Sequence, residues 1–302
     1  MSARARLLTI GAAALIAVGC GPSGSAGYQE DWAPDTEIFL VAASHDGGRL
    51  ALGEPVNITR RAGYDNQPKF LPDGSGFLYT VIADDQADTY RYLIGQGASE
   101  RVTASTSSEF SPTPMPDGRT FSTVRLEADP SGFARLWKFP MNGRSPELIL
   151  RDVTGLGYHT WVDEDTVALA IGEPARLELI DVTEGERRVI MTGVGRCLQV
   201  DPVSGELAFL DKTDDAEWRI RYLDLASGEI TRSVAARDKS EDFAITPDGS
   251  IIMGEGRRLY RLASPDGEWD LLADWSAQLP GPISRISISP DGGFLAIVAA
   301  AS

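Results

Sequence analysis

One phrase recurs along this chain and constrains its fold more than any other feature: a short apolar strand, a Pro-Asp-Gly turn, then a second apolar strand. It reads KFLPDGSGFLYTV at 69–81, TPMPDGRTFSTV at 113–124, AITPDGSIIM at 244–253 and SISPDGGFLAIV at 287–298. Two weaker copies stand between them, TWVDEDTVALAI at 160–171 and LQVDPVSGELAFL at 198–210. Aligned on the turn, the six copies start at 72, 116, 163, 201, 247 and 290, at spacings of 44, 47, 38, 46 and 43 residues. Self-similarity at such a period marks a repeat architecture in which each unit buries its apolar faces against its neighbours.

Proline pre-sets φ for the first central position of a type I turn, aspartate suits the next, and glycine takes the left-handed conformation that follows. The phrase therefore predicts a tight hairpin. Its flanking runs, such as Phe77–Val81 and Phe294–Val298, are almost continuously apolar, as expected of strands covered on both faces. A more polar pair of strands follows each hairpin. Thr89–Leu93 with Glu100–Thr103, Leu136–Phe139 with Glu147–Leu150 around Asn142-Gly143, and Arg219–Leu223 with Gly228–Thr231 are three such pairs. Four antiparallel strands repeated six times describe the blades of a β-propeller.

The two ends fit one another. The last copy stops at Ser302 directly after its second strand, while the chain's first strands, Glu37–Val41 and Pro55–Thr59, precede any complete unit. Placing that pair in the incomplete blade closes a ring and removes exposed sheet edges. The expected fold class is all-β, a six-bladed β-propeller over 36–302 whose last blade is closed by N-terminal strands.

Arg4 and Arg6 precede an apolar run, Leu7–Val18, of signal-peptide length and too short to span a bilayer. The run ends in Ala17-Val18-Gly19-Cys20, which resembles the lipobox of bacterial lipoproteins. That resemblance implies a signal peptide over 1–20, lipidation at Cys20, and a membrane partnership through the acyl anchor. Gly21 after the cysteine implies an outer-membrane, periplasm-facing address. Residues 21–35, rich in Gly, Ser, Pro and acids, read as a flexible tether.

Acidic residues number 44 against 28 basic ones, for a net charge of −16. A surface this negative repels phosphate backbones, so nucleic acid is excluded as a partner. Two cysteines and two histidines cannot supply a zinc-finger framework.

The repeat resembles that of the TolB-type propellers, also described as WD-like propeller repeats, over roughly 36–302. The resemblance implies a cell-envelope protein-interaction module and a monomer, with an envelope protein or peptide as partner. Related repeats form the propeller of prolyl-oligopeptidase-type peptidases, but those require a G-x-S-x-G elbow, and the chain has neither that motif nor residues left for the domain.

Propeller ligands meet the channel mouth where innermost strands begin. Alignment puts Gln67, Ser111, Tyr158, Arg196, Asp242 and Arg285 there, with Asp65, Asn66, Glu109, His159 and Glu241 beside them. The ligand-binding candidates are Asn66, Gln67, Glu109, Ser111, Tyr158, His159, Arg196, Asp242 and Arg285, and no catalytic set emerges. A second reading makes the chain a six-bladed hydrolase or lyase with a divalent metal among Asp65, Glu109, Glu241 and Asp242. Calcium, which takes oxygen ligands, is the cation such a set would suit; nothing in the sequence requires a cofactor.

Overall fold

The computed structural model describes residues 33–46, 49–127 and 133–301. The expected signal segment, Cys20 and most of the expected tether lie outside them.

All the described elements are strands, in one nine-stranded sheet and four four-stranded sheets, and a single parallel pair divides the nine-stranded sheet into two antiparallel groups. The chain opens with β1 (Thr36–Asp46), β2 (Arg49–Leu52) and β3 (Val56–Asn57). Blade 1 then comprises β4 (Tyr64–Phe70), β5 (Gly76–Ala83), β6 (Gln86–Leu93) and β7 (Ala98–Arg101). Blade 2 comprises β8 (Ser108–Pro114), β9 (Thr120–Leu126), β10 (Ala134–Pro140) and β11 (Glu147–Leu148). Blade 3 has β12 (Leu156–Trp161), β13 (Thr166–Ile171), β14 (Arg176–Asp181) and β15 (Arg187–Thr192). Blade 4 has β16 (Val194–Val200), β17 (Leu207–Asp211), β18 (Arg219–Leu223) and β19 (Ile230–Ala235). Blade 5 has β20 (Phe243–Ile245), β21 (Ile251–Glu255), β22 (Arg258–Leu262) and β23 (Trp269–Asp274). The last group contains β24 (Ile283–Ile288) and β25 (Phe294–Ala300), and takes its remaining strands from the chain start.

That closure follows a seven-pair antiparallel register from Thr36 opposite Ala300 to Ala42 opposite Phe294. The outer strand differs from the single run expected at 55–59. The far edge of β1 is covered by two short pieces, β2 opposite residues 43–46 and β3 opposite Phe39 and Leu40. Gly53-Glu54-Pro55 interrupts them, and proline cannot donate a ladder hydrogen bond. One parallel pairing, Thr36 with Tyr64, joins this last blade to blade 1.

The turns form as their chemistry predicts. Gly74, Gly118, Gly249 and Gly292 all have positive φ, between 64° and 82°. Each donates its N–H to the carbonyl three residues back, on Leu71, Met115, Thr246 and Ser289. The aspartate before each glycine accepts bonds from neighbouring hydroxyls and backbone N–H groups, foremost the Thr246 and Ser289 hydroxyls at Asp248 and Asp291, and these hold Asp73, Asp117, Asp248 and Asp291 below the usual carboxylate range. The fourth copy is one residue out of the sequence alignment. Asp201 closes its turn onto Glu206 as Leu71 does onto Gly76, so Pro202 occupies the place of Pro72.

Apolar clusters fill the gap between every pair of successive blades. Leu71 and Leu78 meet Phe121 and Phe139 between blades 1 and 2, and Val124 and Leu136 meet Trp161 and Leu169 between blades 2 and 3. Leu177 and Leu179 meet Leu198 and Phe209, and Leu210 and Tyr222 meet Phe243 and Met253. Ile252 and Leu259 meet Ile286 and Ile297. The circuit completes where Ile38, Ala296 and Val298 pack on Phe77, Tyr79 and Tyr92 of blade 1. Each such fully buried side chain contributes about 1.5–3 kcal/mol.

Candidate functional site

Innermost strands β4, β8, β12, β16 and β24 each carry a register shift near their start. A bulge re-aims side chains, and here Gln67 reaches the Ser111 N–H of the neighbouring blade. Gln67 and Ser111, on equivalent bulges, hold φ of 60° and 52°.

Four of the predicted residues come together across the channel. Arg285 Nη2 donates to Tyr158 Oη at 3.2 Å, tying the last blade to blade 3, and Arg285 Nη1 lies 3.7 Å from Asp242 Oδ2. Arg196 Nη2 donates to the Ser284 carbonyl at 2.5 Å. Its Nε lies 3.7 Å from Asp242 and 3.9 Å from Glu241. Asp242 Oδ1 accepts the Ile286 N–H at 3.0 Å. Burial raises the Asp242 carboxyl, against the two arginines. Burial also opposes the Arg285 charge, yet Tyr158, Tyr64 and Asp242 together hold it above its usual range.

Two members of this cluster were not read from the sequence. Tyr64 is buried beside Arg285, and burial pushes its hydroxyl up to about 12. Lys212, on the loop after β17, pairs with Glu241 and lies 4.3 Å from the Trp218 ring centroid. Lys212 lies outside the repeated phrase, so alignment could not select it; Tyr64 begins the same strand as Gln67 and was within reach of the same argument.

The remaining predicted residues sit apart and bind the scaffold. Asn66 donates to Thr36 Oγ1 at 3.2 Å and accepts from the Gln67 N–H. Gln67 Oε1 accepts from Thr80 Oγ1 and from the Ser111 N–H at 2.7 Å, linking blades 1 and 2. Ser111 Oγ is buried without a hydrogen bond. Glu109, fully buried, accepts from Ser105 and Thr103 and lies 3.4 Å from Arg125. His159 Nε2 lies 2.7 Å from Ser122 Oγ, which also accepts from Trp161 Nε1 at 2.8 Å. The Ser122 hydroxyl also lies 3.4 Å from the Thr113 carbonyl, and His159 Nδ1 is buried with no hydrogen-bond partner. Burial, with Lys69 adding to it, lowers His159 to about 3. Ser122 is fully buried, so this pair is a strut between blades and not an exposed nucleophile with its base.

The carboxylates put forward for a cation do not converge. Asp65 pairs with Arg61, Glu109 with Arg125, and Glu241 and Asp242 with Arg196, Lys212 and Arg285. Among the described residues no three His, Cys, Asp or Glu side chains are grouped to hold a metal ion. The mouth instead sets three cations, Arg196, Lys212 and Arg285, against two carboxylates in a chain of net charge −16. Arg196 Nε is buried with no hydrogen-bond partner. Such a cluster can receive an anionic acceptor.

This architecture is that of an all-β propeller, and its fold is similar to those of TolB-type propellers. A structure assigned as TolB from Agrobacterium tumefaciens superposes with a TM-score of 0.66 at 15% identity, over 88% of this chain and 98% of that one. TolB from Acinetobacter baumannii gives 0.55 at 14% identity, over 89% of this chain and 64% of that one. An oligogalacturonate lyase in complex with manganese gives 0.57 at 15% identity, over 83% and 82%. Identities this low show likeness of fold alone. No family model and no curated protein matches the sequence.

Proposed function

We propose that this chain is a lipid-anchored six-bladed propeller of the cell envelope whose channel mouth binds a carboxylate presented by a protein or peptide partner. The observation that carries the reading is the excess of cations at the mouth, where Arg196, Lys212 and Arg285 face only Glu241 and Asp242. An incoming carboxylate would balance that excess. The anchor rests on Arg4, Arg6, the Leu7–Val18 run and the Ala17-Val18-Gly19-Cys20 junction. Two acyl-chain signals hold a protein stably at a membrane, each buried methylene contributing about 0.8 kcal/mol.

Chemical cross-linking of the full-length protein in envelope membranes tests the mouth. Partners captured by the parent should be lost from Arg196→Gln and Lys212→Gln and kept by Lys239→Gln, whose lysine pairs with the exposed Asp215. An unchanged set in all three variants contradicts the reading. Radiolabelled palmitate should enter the parent and not Cys20→Ala; equal labelling would refute the anchor.

A further inference from the structure

The other end of the channel holds a second feature that the mouth does not explain. Where β4, β8 and β12 run out toward their turns, a cavity of about 180 Å³ opens between blades 1, 2 and 3. Its walls are apolar, formed by Phe70, Pro72, Pro114, Met115, Pro116 and Trp161. Its polar groups are Lys69, Thr113 and Thr160. The Trp161 N–H is already donated to Ser122, and the Thr113 hydroxyl is donated to the Ser111 carbonyl at 3.1 Å.

Lys69 and Thr160 are different. Among the described residues Lys69 has no ion pair or hydrogen bond, and the Thr160 side chain has no hydrogen bond. Every other lysine in a described channel or blade contact has a carboxylate: Lys138 pairs with Glu147, Lys212 with Glu241 and Lys239 with Asp215. Lys69 is also half-buried, and its field reaches His159, Cys197 and Asp242 on three other blades. An ammonium that forms no direct ion pair, beside a free hydroxyl and an apolar wall, is half of a recognition site.

We infer that this cavity binds a small carboxylate with a branched or aromatic apolar body. The carboxylate takes the Lys69 ammonium and the Thr160 hydroxyl, and the body lies against Trp161, Met115 and the prolines. The cavity is smaller than the roughly 300–1,000 Å³ of drug-sized sites, so the ligand is no larger than one amino-acid side chain with its acid group. The site shares no residue with the mouth, being built at the other end of the same strands.

Saturation-transfer NMR on the full chain tests this with 4-methylpentanoate and its uncharged amide as probes. The acid should bind, with its methyl protons receiving the strongest saturation. A charged hydrogen bond contributes enough that the amide, and the acid with Lys69→Met, should each bind at least about tenfold more weakly. Lys69→Arg should retain binding, and Met115→Trp, which fills the cavity, should abolish it. Arg196→Gln should leave affinity unchanged, which separates this site from the mouth. Equal binding of acid and amide, wild-type affinity in Lys69→Met or Met115→Trp, or a comparable loss in Arg196→Gln would overturn the inference.

Discussion

The Tyr158 hydroxyl accepts a hydrogen bond from Arg285 across the channel, 127 positions away in sequence. This contact and the Arg196 bond to the Ser284 carbonyl make the mouth a cross-braced cluster of charged groups. Tyr158→Phe removes one charge-assisted bond and should cost about 1.5–3 kcal/mol. Arg285→Leu should cost about 3–5 kcal/mol, because Asp242 then keeps only Arg196, at 3.7 Å, as an ion-pair partner. Adding Asp242→Asn to Arg285→Leu should recover part of that loss. Urea unfolding of the parent, Asp242→Asn, Arg285→Leu and the double variant measures it, and additive losses would contradict the coupling.

Ser122 joins two blades by receiving the Trp161 indole N–H and facing His159 Nε2. Ser122→Ala leaves both groups buried and unmatched, at about 1–3 kcal/mol each. Thermal unfolding should show a clear fall for Ser122→Ala and a smaller one for Ser122→Thr, which keeps the hydroxyl. Equal melting of Ser122→Ala and the parent contradicts the strut.

Two buried groups give stability opposite slopes with pH. Burial pushes Glu109 up from 4.5 to about 7, so the folded protein retains a proton that the unfolded chain has released. Its contribution is therefore lost as pH rises from about 4.5 to about 7. His159 is held down from 6.5 to about 3, foremost by burial. The unfolded chain takes that proton first, and stability is lost as pH falls from about 6.5 to about 3. Melting temperature of Glu109→Gln, relative to the parent, should rise between about pH 5 and pH 8. Parallel curves would contradict the raised carboxyl.

Gly143 closes the turn between β10 and β11 with a φ of 70°, and a Cβ there would lie 1.9 Å from the Val102 carbonyl of blade 1. Gly143→Ala should cost more than the roughly 1–2 kcal/mol of the left-handed conformation alone. A denaturant midpoint equal to the parent's would show that the turn can move off blade 1.

The ring was legible because its signals are local. Pro-Asp-Gly specifies four of the hairpins within a few residues, and the first strand of the chain has a seven-pair antiparallel register with β25. The fourth copy slipped by one because Asp201 precedes its proline, and by the turn register Cys197 stands where Arg196 was aligned. There Cys197 Sγ lies 3.2 Å from the Phe243 carbonyl, next to blade 5. The mouth was legible only in part. Alignment gives a residue's angle around the ring but not which neighbour it reaches, so Gln67 and Glu109 turn out to bind their own scaffold. Arg196 reaches Ser284 over 88 positions, and Lys212 arrives from a loop outside the phrase. Such meetings depend on how blades are set against each other, which no local pattern encodes.

Closure of the ring by its two ends is tested most directly at Leu40 and Ala296, which face each other between β1 and β25. The Ala43 N–H bonds Gly293 and the Ala301 N–H bonds Asp35, so even-numbered β1 residues form the closer, non-hydrogen-bonded pairs, with Cα atoms about 4.5 Å apart. That spacing admits a disulfide. Leu40→Cys with Ala296→Cys, oxidised and digested, should yield the 40–296 linked peptide from a single chain, with stability raised by about 2–4 kcal/mol. Two thiols that stay reactive, or linkage only between separate molecules, would contradict a ring held shut by its own ends.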